Sequence, residues 1–274
     1  MNKTTTITIA ALISLSTIAA AGQGEGEGDG DGIVLGDGNS TATFDNTNGQ
    51  YSWTVDGVEH LYAQEFYFRR SGFNDEQNLN TMTLLGQAIN DTNPFSDDRA
   101  DSISTLYSDN NGLEVETLFT LRGSGQGSGA SALAEQITLT NTGTSTIFLS
   151  FFQYVDFDLG GDASDDWGRI VDGNTATQYD DEFAISETVA TPSPTLFQMG
   201  DESDISALWS NGVIDNLNGD ADYQGDVAWA FQWNVELEAG DSFLISKNKS
   251  IVPTPSSLAL LASAGLLTTR RRRA

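Results

Sequence analysis

The chain has 274 residues, with 39 acidic residues against 12 Lys plus Arg, one His and no Cys. That charge balance repels phosphate backbones and argues against nucleic-acid binding. The missing cysteine excludes a disulfide framework, a thiolate metal site and a cysteine nucleophile, while the length allows one large or two small domains with a core that needs no staples.

In chain order, the first 21 residues read as a secretory signal peptide. Lys3 opens it, Ile7 to Ile18 is apolar apart from Ser and Thr, and Ala19 and Ala21 are the small residues for cleavage after Ala21. A signal helix is expected here. Residues 22–32, with alternating Gly and acid, read as a flexible acidic linker. Residues 33–252 then show few helical patterns. Period-two alternation and β-branched residues recur between Gly, Asn and Asp.

Strands are predicted over Thr41–Phe44, Tyr51–Val55, Glu65–Arg69, Ser102–Ser108, Leu113–Arg122, Ala134–Asn141, Thr146–Asp158, Thr175–Tyr179, Phe183–Glu187, Ala228–Leu237 and Ser242–Ile251. A short helix is expected over Glu202–Trp209 with Asp204 near its N-cap. Gly123 to Ser131 reads as a flexible hairpin connection. Many strands, short turns and no strand–helix alternation give an all-β fold, a large antiparallel β-sandwich. Trp229, Phe231, Trp233, Val235 and Leu237 share one strand face and are expected in its core. The hairpin rhythm resembles the supersandwiches of the galactose-mutarotase kind. That resemblance implies a fold and brings no catalytic motif.

Little chemistry is legible in the body. His60 is the lone histidine, which excludes a histidine-rich zinc site, and it reads as structural or surface. No Gly-x-Ser-x-Gly elbow, P-loop or dinucleotide fingerprint is present. The acidic run "DFDLGGDASDD" places Asp156 and Asp158 on one strand face, and the following loop could curl three more carboxylates, Asp162, Asp165 and Asp166, toward them as a calcium site. Gly160 and Trp167 break the EF-hand pattern, so solvated turns remain the blander alternative. Asn218, Asp220, Asp222 and Asp226 form a second such loop, with Tyr223 at the glycine position. Exposed Trp53, Trp167 or Trp209 beside acids would make a sugar site plausible.

The last segment, 253–274, carries Pro253, Thr254 and Pro255, an apolar stretch from Leu258 to Leu267 that predicts a short hydrophobic helix, and Arg270, Arg271, Arg272 and Arg273. At 14 residues the helix-competent part, Ser256 to Thr269, is short for a bilayer core, and the arginines make a positive-inside stop. This tripartite layout resembles the PEP-CTERM sorting signal of Gram-negative bacteria, with Thr254 where that family carries Glu. The resemblance covers the last 22 residues. It implies signal peptidase and an exosortase as partners in export, transient anchoring in the inner membrane through the C-terminal helix, release to the cell surface or matrix, and association with exopolysaccharide. On these features the expected function is a non-enzymatic surface or matrix protein of structural or interaction type. The alternatives are a displayed carbohydrate-binding module and, behind it, a polysaccharide-active enzyme. No cofactor is expected beyond calcium.

Overall fold

Alternating sequence becomes paired strands almost throughout. The structure, a computed structural model, describes residues 32–45 and 49–254. In chain order the strands are β1 (Ile33–Asp37), β2 (Ser40–Asp45), β3 (Gly49–Val55), β4 (Val58–Glu59), β5 (Leu61–Arg70), β6 (Gln77–Asn78), β7 (Thr83–Asn90), β8 (Ser102–Ser108) and β9 (Leu113–Arg122). They continue as β10 (Ser131–Asn141), β11 (Ile147–Phe157), β12 (Asp166–Val171), β13 (Thr175–Tyr179), β14 (Phe183–Thr191), β15 (Leu196–Asp201), β16 (Asp222–Gly225), β17 (Val227–Leu237) and β18 (Ser242–Pro253). One short helix, α1 (Glu202–Ala207), follows β15.

The strands form two nine-stranded antiparallel sheets. The first runs β1-β2-β3-β5-β11-β17-β15, with β4 beside β3 and β6 beside β5. The second runs β16-β12-β13-β14-β18-β10-β9-β8-β7. The expected large antiparallel sandwich is therefore the observed fold. The signal helix, the acidic linker up to residue 31, Ala19 and Ala21, Pro255, the C-terminal hydrophobic helix and Arg270 to Arg273 lie outside the described residues. Among the described residues no helix is long and apolar enough to cross a membrane.

The core lies between the sheets. On β11 and β17 alternate residues point into it, including Phe151, Val155, Phe157, Trp229, Phe231 and Trp233. The predicted aromatic stripe of β17 is buried from end to end. Each such side chain contributes roughly 1.5–3 kcal/mol by leaving water. Trp53 is also core, its Nε1 donating to Ser131 Oγ at 3.0 Å.

One buried patch between the sheets is ionic. Lys247 pairs with Glu135 and, at 3.1 Å, with Glu187, and Lys249 lies 2.7 Å from Glu135. All four side chains are fully buried. From the facing sheet Gln153 donates to Glu187 at 2.9 Å, Gln64 to Glu135 at 3.3 Å, and the Trp229 indole to Glu187 at 2.9 Å. Burial pushes the Glu187 carboxyl up, but Lys247 and Lys249 outweigh it and hold the carboxyl below its ordinary value.

Three details depart from the sequence reading. The connection from β9 to β10, expected to be flexible, is pinned: Gly123 N donates to Asp37, Ser124 N to Asn39, and Gly127 N and Gly129 N to Asp56. A Cβ at Gly123 would lie 1.8 Å from the Asp37 carbonyl oxygen. Gly123→Ala is therefore expected to cost about 1–3 kcal/mol through overpacking, read as a lower urea midpoint with an unchanged slope. Helix α1 ends two residues early, and its N-cap is Asp201, which accepts from Ser203 N, rather than Asp204. Strand β18 runs on through Pro253. Thr254 is buried beyond it, its N–H donating to the Glu182 carbonyl at 2.9 Å and its hydroxyl to the Asp181 carbonyl at 2.8 Å.

Candidate functional site

The face of the first sheet that points away from the core carries the chemistry. On β11 this face presents Phe148, Ser150, Phe152, Tyr154 and Asp156, the residues alternating with the core set. On β17 it presents Ala228, Ala230, Gln232, Asn234 and Glu236, and β5 contributes Tyr67 and Arg69. The chain from α1 to β16 folds over the middle of this face. Ile205 and Leu217 are buried there against Phe152 and Tyr154, with Leu208 and Trp209 packed beside them. Trp209 stacks on Tyr67 at 4.8 Å and tilts against Phe152 at 5.3 Å. The cover leaves the two ends of the face distinct, separated along β11 by about 27 Å at roughly 3.4 Å per residue.

At one end lies the acidic cluster. Asp156 pairs in register with Ala228. Asp158 lies two residues further, just past the end of β11, and Asp226 just before the start of β17, so the pairing of these two strands brings the three carboxylates together. One oxygen from each lies within 4.8 Å of the other two. Asp156 is 1% exposed; its Oδ2 accepts from Tyr154 OH at 3.2 Å, and its Oδ1 has no hydrogen-bond partner. Glu202 flanks the group, accepting from the same tyrosine at 3.4 Å, and its backbone N–H donates to the Asp226 carbonyl at 3.0 Å. Burial, then the charges of Asp158 and Asp226, push the Asp156 carboxyl up to about 8. Burial and neighbouring acids also raise Asp158 and Asp226, and Tyr154 is raised by burial and by Asp156.

The sequence placed Asp156 and Asp158 together, as the structure does. Asp162 and Asp165 are exposed in the following loop, where Asp162 accepts from the Ser164 N–H at 3.0 Å, and neither joins the cluster. Asp226 takes their place. Asn218, Asp220 and Asp222 are exposed and stay apart from it. Asp166 is buried instead, held by Gln178, and burial raises its carboxyl to about 7. His60 is fully buried and structural. Its Nδ1 accepts from Gly160 N at 3.1 Å, its ring meets Phe183 edge-on at 4.5 Å, and burial lowers its pKa to about 4.

At the other end lies an open cleft of about 510 Å³, lined by Arg69, Arg70, Ser71, Gly72, Phe73, Phe148, Leu149, Ser150, Ile214, Asn234, Val235 and Glu236. Phe148 is 55% exposed, and Phe73 and Ile214 are exposed beside it. The floor is polar and pre-ordered. Ser150 Oγ donates to Asn234 Oδ1 at 2.8 Å, and Arg69 Nη2 donates to Ser150 Oγ at 3.3 Å. Arg69 is itself fixed by its ion pair with Glu76 and by the Asp215 carbonyl. Glu236, exposed and opposite Phe148 across the strand pair, is the one carboxylate of the lining. Sequence reasoning missed this cleft, because its walls come from separate segments. Of the tryptophans weighed for sugar contact, Trp53 is buried, Trp209 forms the cover and Trp167 is half exposed on the other sheet.

No family model matches the sequence, and no curated protein matches it. Solved structures do match the fold. A bacterial glucoamylase in complex with acarbose superposes with a TM-score of 0.55 at 10% identity, covering 88% of this chain and 36% of that one. The chain thus spans about a third of the glucoamylase's length. A proposed aldose 1-epimerase from Escherichia coli gives 0.51 at 12% identity over 80% of this chain and 98% of that one. A Synechocystis protein gives 0.50 at 12% identity over 81% and 95%. These likenesses show the fold. They also correct two sequence expectations, that the chain is a structural or interaction protein and that it is not an enzyme: the sandwich, from end to end, is one built by a proposed epimerase and carried within a glucoamylase.

Proposed function

We propose that the chain is a carbohydrate-active enzyme whose saccharide lies in the cleft over Phe148. The observation that carries this reading is the cleft's composition: exposed apolar faces of Phe73, Phe148 and Ile214 beside a hydrogen-bonded polar floor. A sugar ring presents the same two chemistries, C–H faces that pack on aromatics and hydroxyls that hydrogen-bond. The fold shared with a proposed aldose 1-epimerase supports sugar as the substrate class.

The lining also narrows the reaction. Hydrolysis by paired carboxylates needs two acids roughly 5–9.5 Å apart. Glu236 is alone among the lining residues, so proton transfer at the anomeric centre of a free sugar fits better than glycoside cleavage. Glu236 is the group that takes and returns the proton.

The test is anomer exchange followed by NMR over a panel of aldoses, with binding measured in parallel. Glu236→Gln is expected to lower the exchange rate about a hundredfold with binding kept. Phe148→Ala is expected to weaken binding about tenfold. A panel that shows neither binding nor accelerated exchange would overturn the reading.

Export belongs to the same proposal. The N-terminal residues support secretion through signal peptidase. The tail supports exosortase sorting from the inner membrane to a surface or matrix where exopolysaccharide would be at hand. Intact mass of the protein from the host's surface fraction checks it: loss of residues 1–21 and of the arginine cluster is expected, and a full-length mass would sink the idea.

A further inference from the structure

We propose that Asp156, Asp158 and Asp226 form a divalent-cation site and that its occupant is calcium. Three observations carry this. The first is geometry: one oxygen from each carboxylate lies within 4.8 Å of the others. Calcium binds oxygen at 2.3–2.6 Å, so two of its ligands stand up to about 5 Å apart, and three oxygens within 4.8 Å of one another fit around it. The second is the unmet acceptor. Asp156 is 1% exposed, and its Oδ1 faces no donor. A buried carboxylate oxygen without a partner is costly, and a cation would satisfy it.

The third is the shortage of positive charge. Between residues 32 and 254 the chain has seven basic side chains. Arg69, Arg70, Arg99, Arg122 and Arg169 pair with Glu76, Asp109, Asp97, Asp101 and Asp222, and Lys247 and Lys249 are locked in the ionic core. None of these pairs includes Asp156, Asp158, Asp226 or Glu202. Among the described residues, three converging carboxylates with a fourth alongside therefore have no basic side chain paired with them. An oxygen-only, acid-rich set suits a hard ion. Glu202 is placed to complete the shell with water. An ion held there would tie the end of β11 to the start of β17 and, through Glu202, to the segment that covers the sheet face.

The proposal is independent of the sugar reading and is tested without sugar. Full-length protein stripped with EDTA is titrated with CaCl2, followed by calorimetry and thermal melting, and with Tb3+, whose emission Tyr154 should sensitise. One saturable site is expected. It should raise the melting temperature, release bound Tb3+ to calcium, and prefer calcium over magnesium at least tenfold. Asp156→Asn and, more conservatively, Asp158→Asn should each weaken calcium at least tenfold while keeping the folded circular-dichroism spectrum. Absence of a saturable calcium response would overturn the site. So would a response of equal size in both variants, because that is screening of an acidic surface rather than coordination.

Discussion

Replacing Lys247 with Met is expected to destabilise the fold by roughly 3–5 kcal/mol. Lys247 is fully buried and serves two carboxylates, Glu135 and Glu187, across three neighbouring strands. Removing its ammonium leaves two buried carboxylates to share Lys249, and so leaves one negative charge uncompensated. Size is not the cause, since Met nearly matches the lysine stem. The check is a double-mutant cycle in urea. Glu135→Gln added to Lys247→Met restores a neutral set and should recover a large part of the loss, whereas two simply additive penalties would contradict a coupled network. The same logic explains why such a costly group survives in the core: each charge is answered by an opposite charge, and Gln64, Gln153 and Trp229 donate to the carboxylates.

The second large effect is acid lability through His60. Its folded pKa is lowered from 6.5 to about 4, with burial as the main cause and Glu59 opposing. The folded state binds its proton less readily than the unfolded chain. The stability that neutral His60 permits is thus fully present above pH 6.5 and is lost as pH falls through 4. The span corresponds to about 3 kcal/mol at 1.36 kcal/mol per unit. Asp156 and Asp166 work in the opposite sense. Their raised values mean the folded state takes up protons that the unfolded chain releases, so their contribution shrinks as pH rises toward 8 and 7. A bare pH–stability curve would mix the two. Comparing wild type with His60→Asn under a chelator separates them, because Asn can still accept from Gly160 N but does not titrate. The gap between the two proteins should shrink by about 3 kcal/mol from pH 7 to pH 4, and a constant gap would show that His60 is not the source.

The fold was legible where alternation was clean. Strands β8, β9 and β13 have the bounds that the pattern predicts, and the stripe on β17 is core as expected. Strands without alternation were missed. In β7 the run "TLLGQAIN" is exposed at every position, so burial imposed no period on it. In β12 the acids and Gly168 read as loop, although Asp166, Gly168 and Ile170 alternate inward. The ionic core was in view but unread: Glu135 stands at the inward parity of Leu133 and Ile137, and Lys247 and Lys249 at that of Ile245 and Ile251. A charge on an apolar parity is a signal that sequence alone can give. The cleft gave none, and Asp226, read as part of a second loop with Asn218, Asp220 and Asp222, gave no sign that it joins Asp156 and Asp158 instead. Asp226 meets Asp156 only through the pairing of β11 with β17, and Phe73, Phe148 and Ile214 meet only through folding.

The extension of β18 through Pro253 also has a mechanical consequence. Beyond Thr254 the chain leaves from an interior strand of the second sheet, hydrogen-bonded to β10 on one side and β14 on the other. A pull on the C-terminus therefore acts along β18 in shear, against both ladders at once, instead of peeling an edge strand one bond at a time. The Thr254 bonds to Asp181 and Glu182 act as the first clamp. A body tethered by this end would resist flow or drag through its strongest direction, and a peptidase would have to cut beyond Thr254 to free it with its sandwich whole.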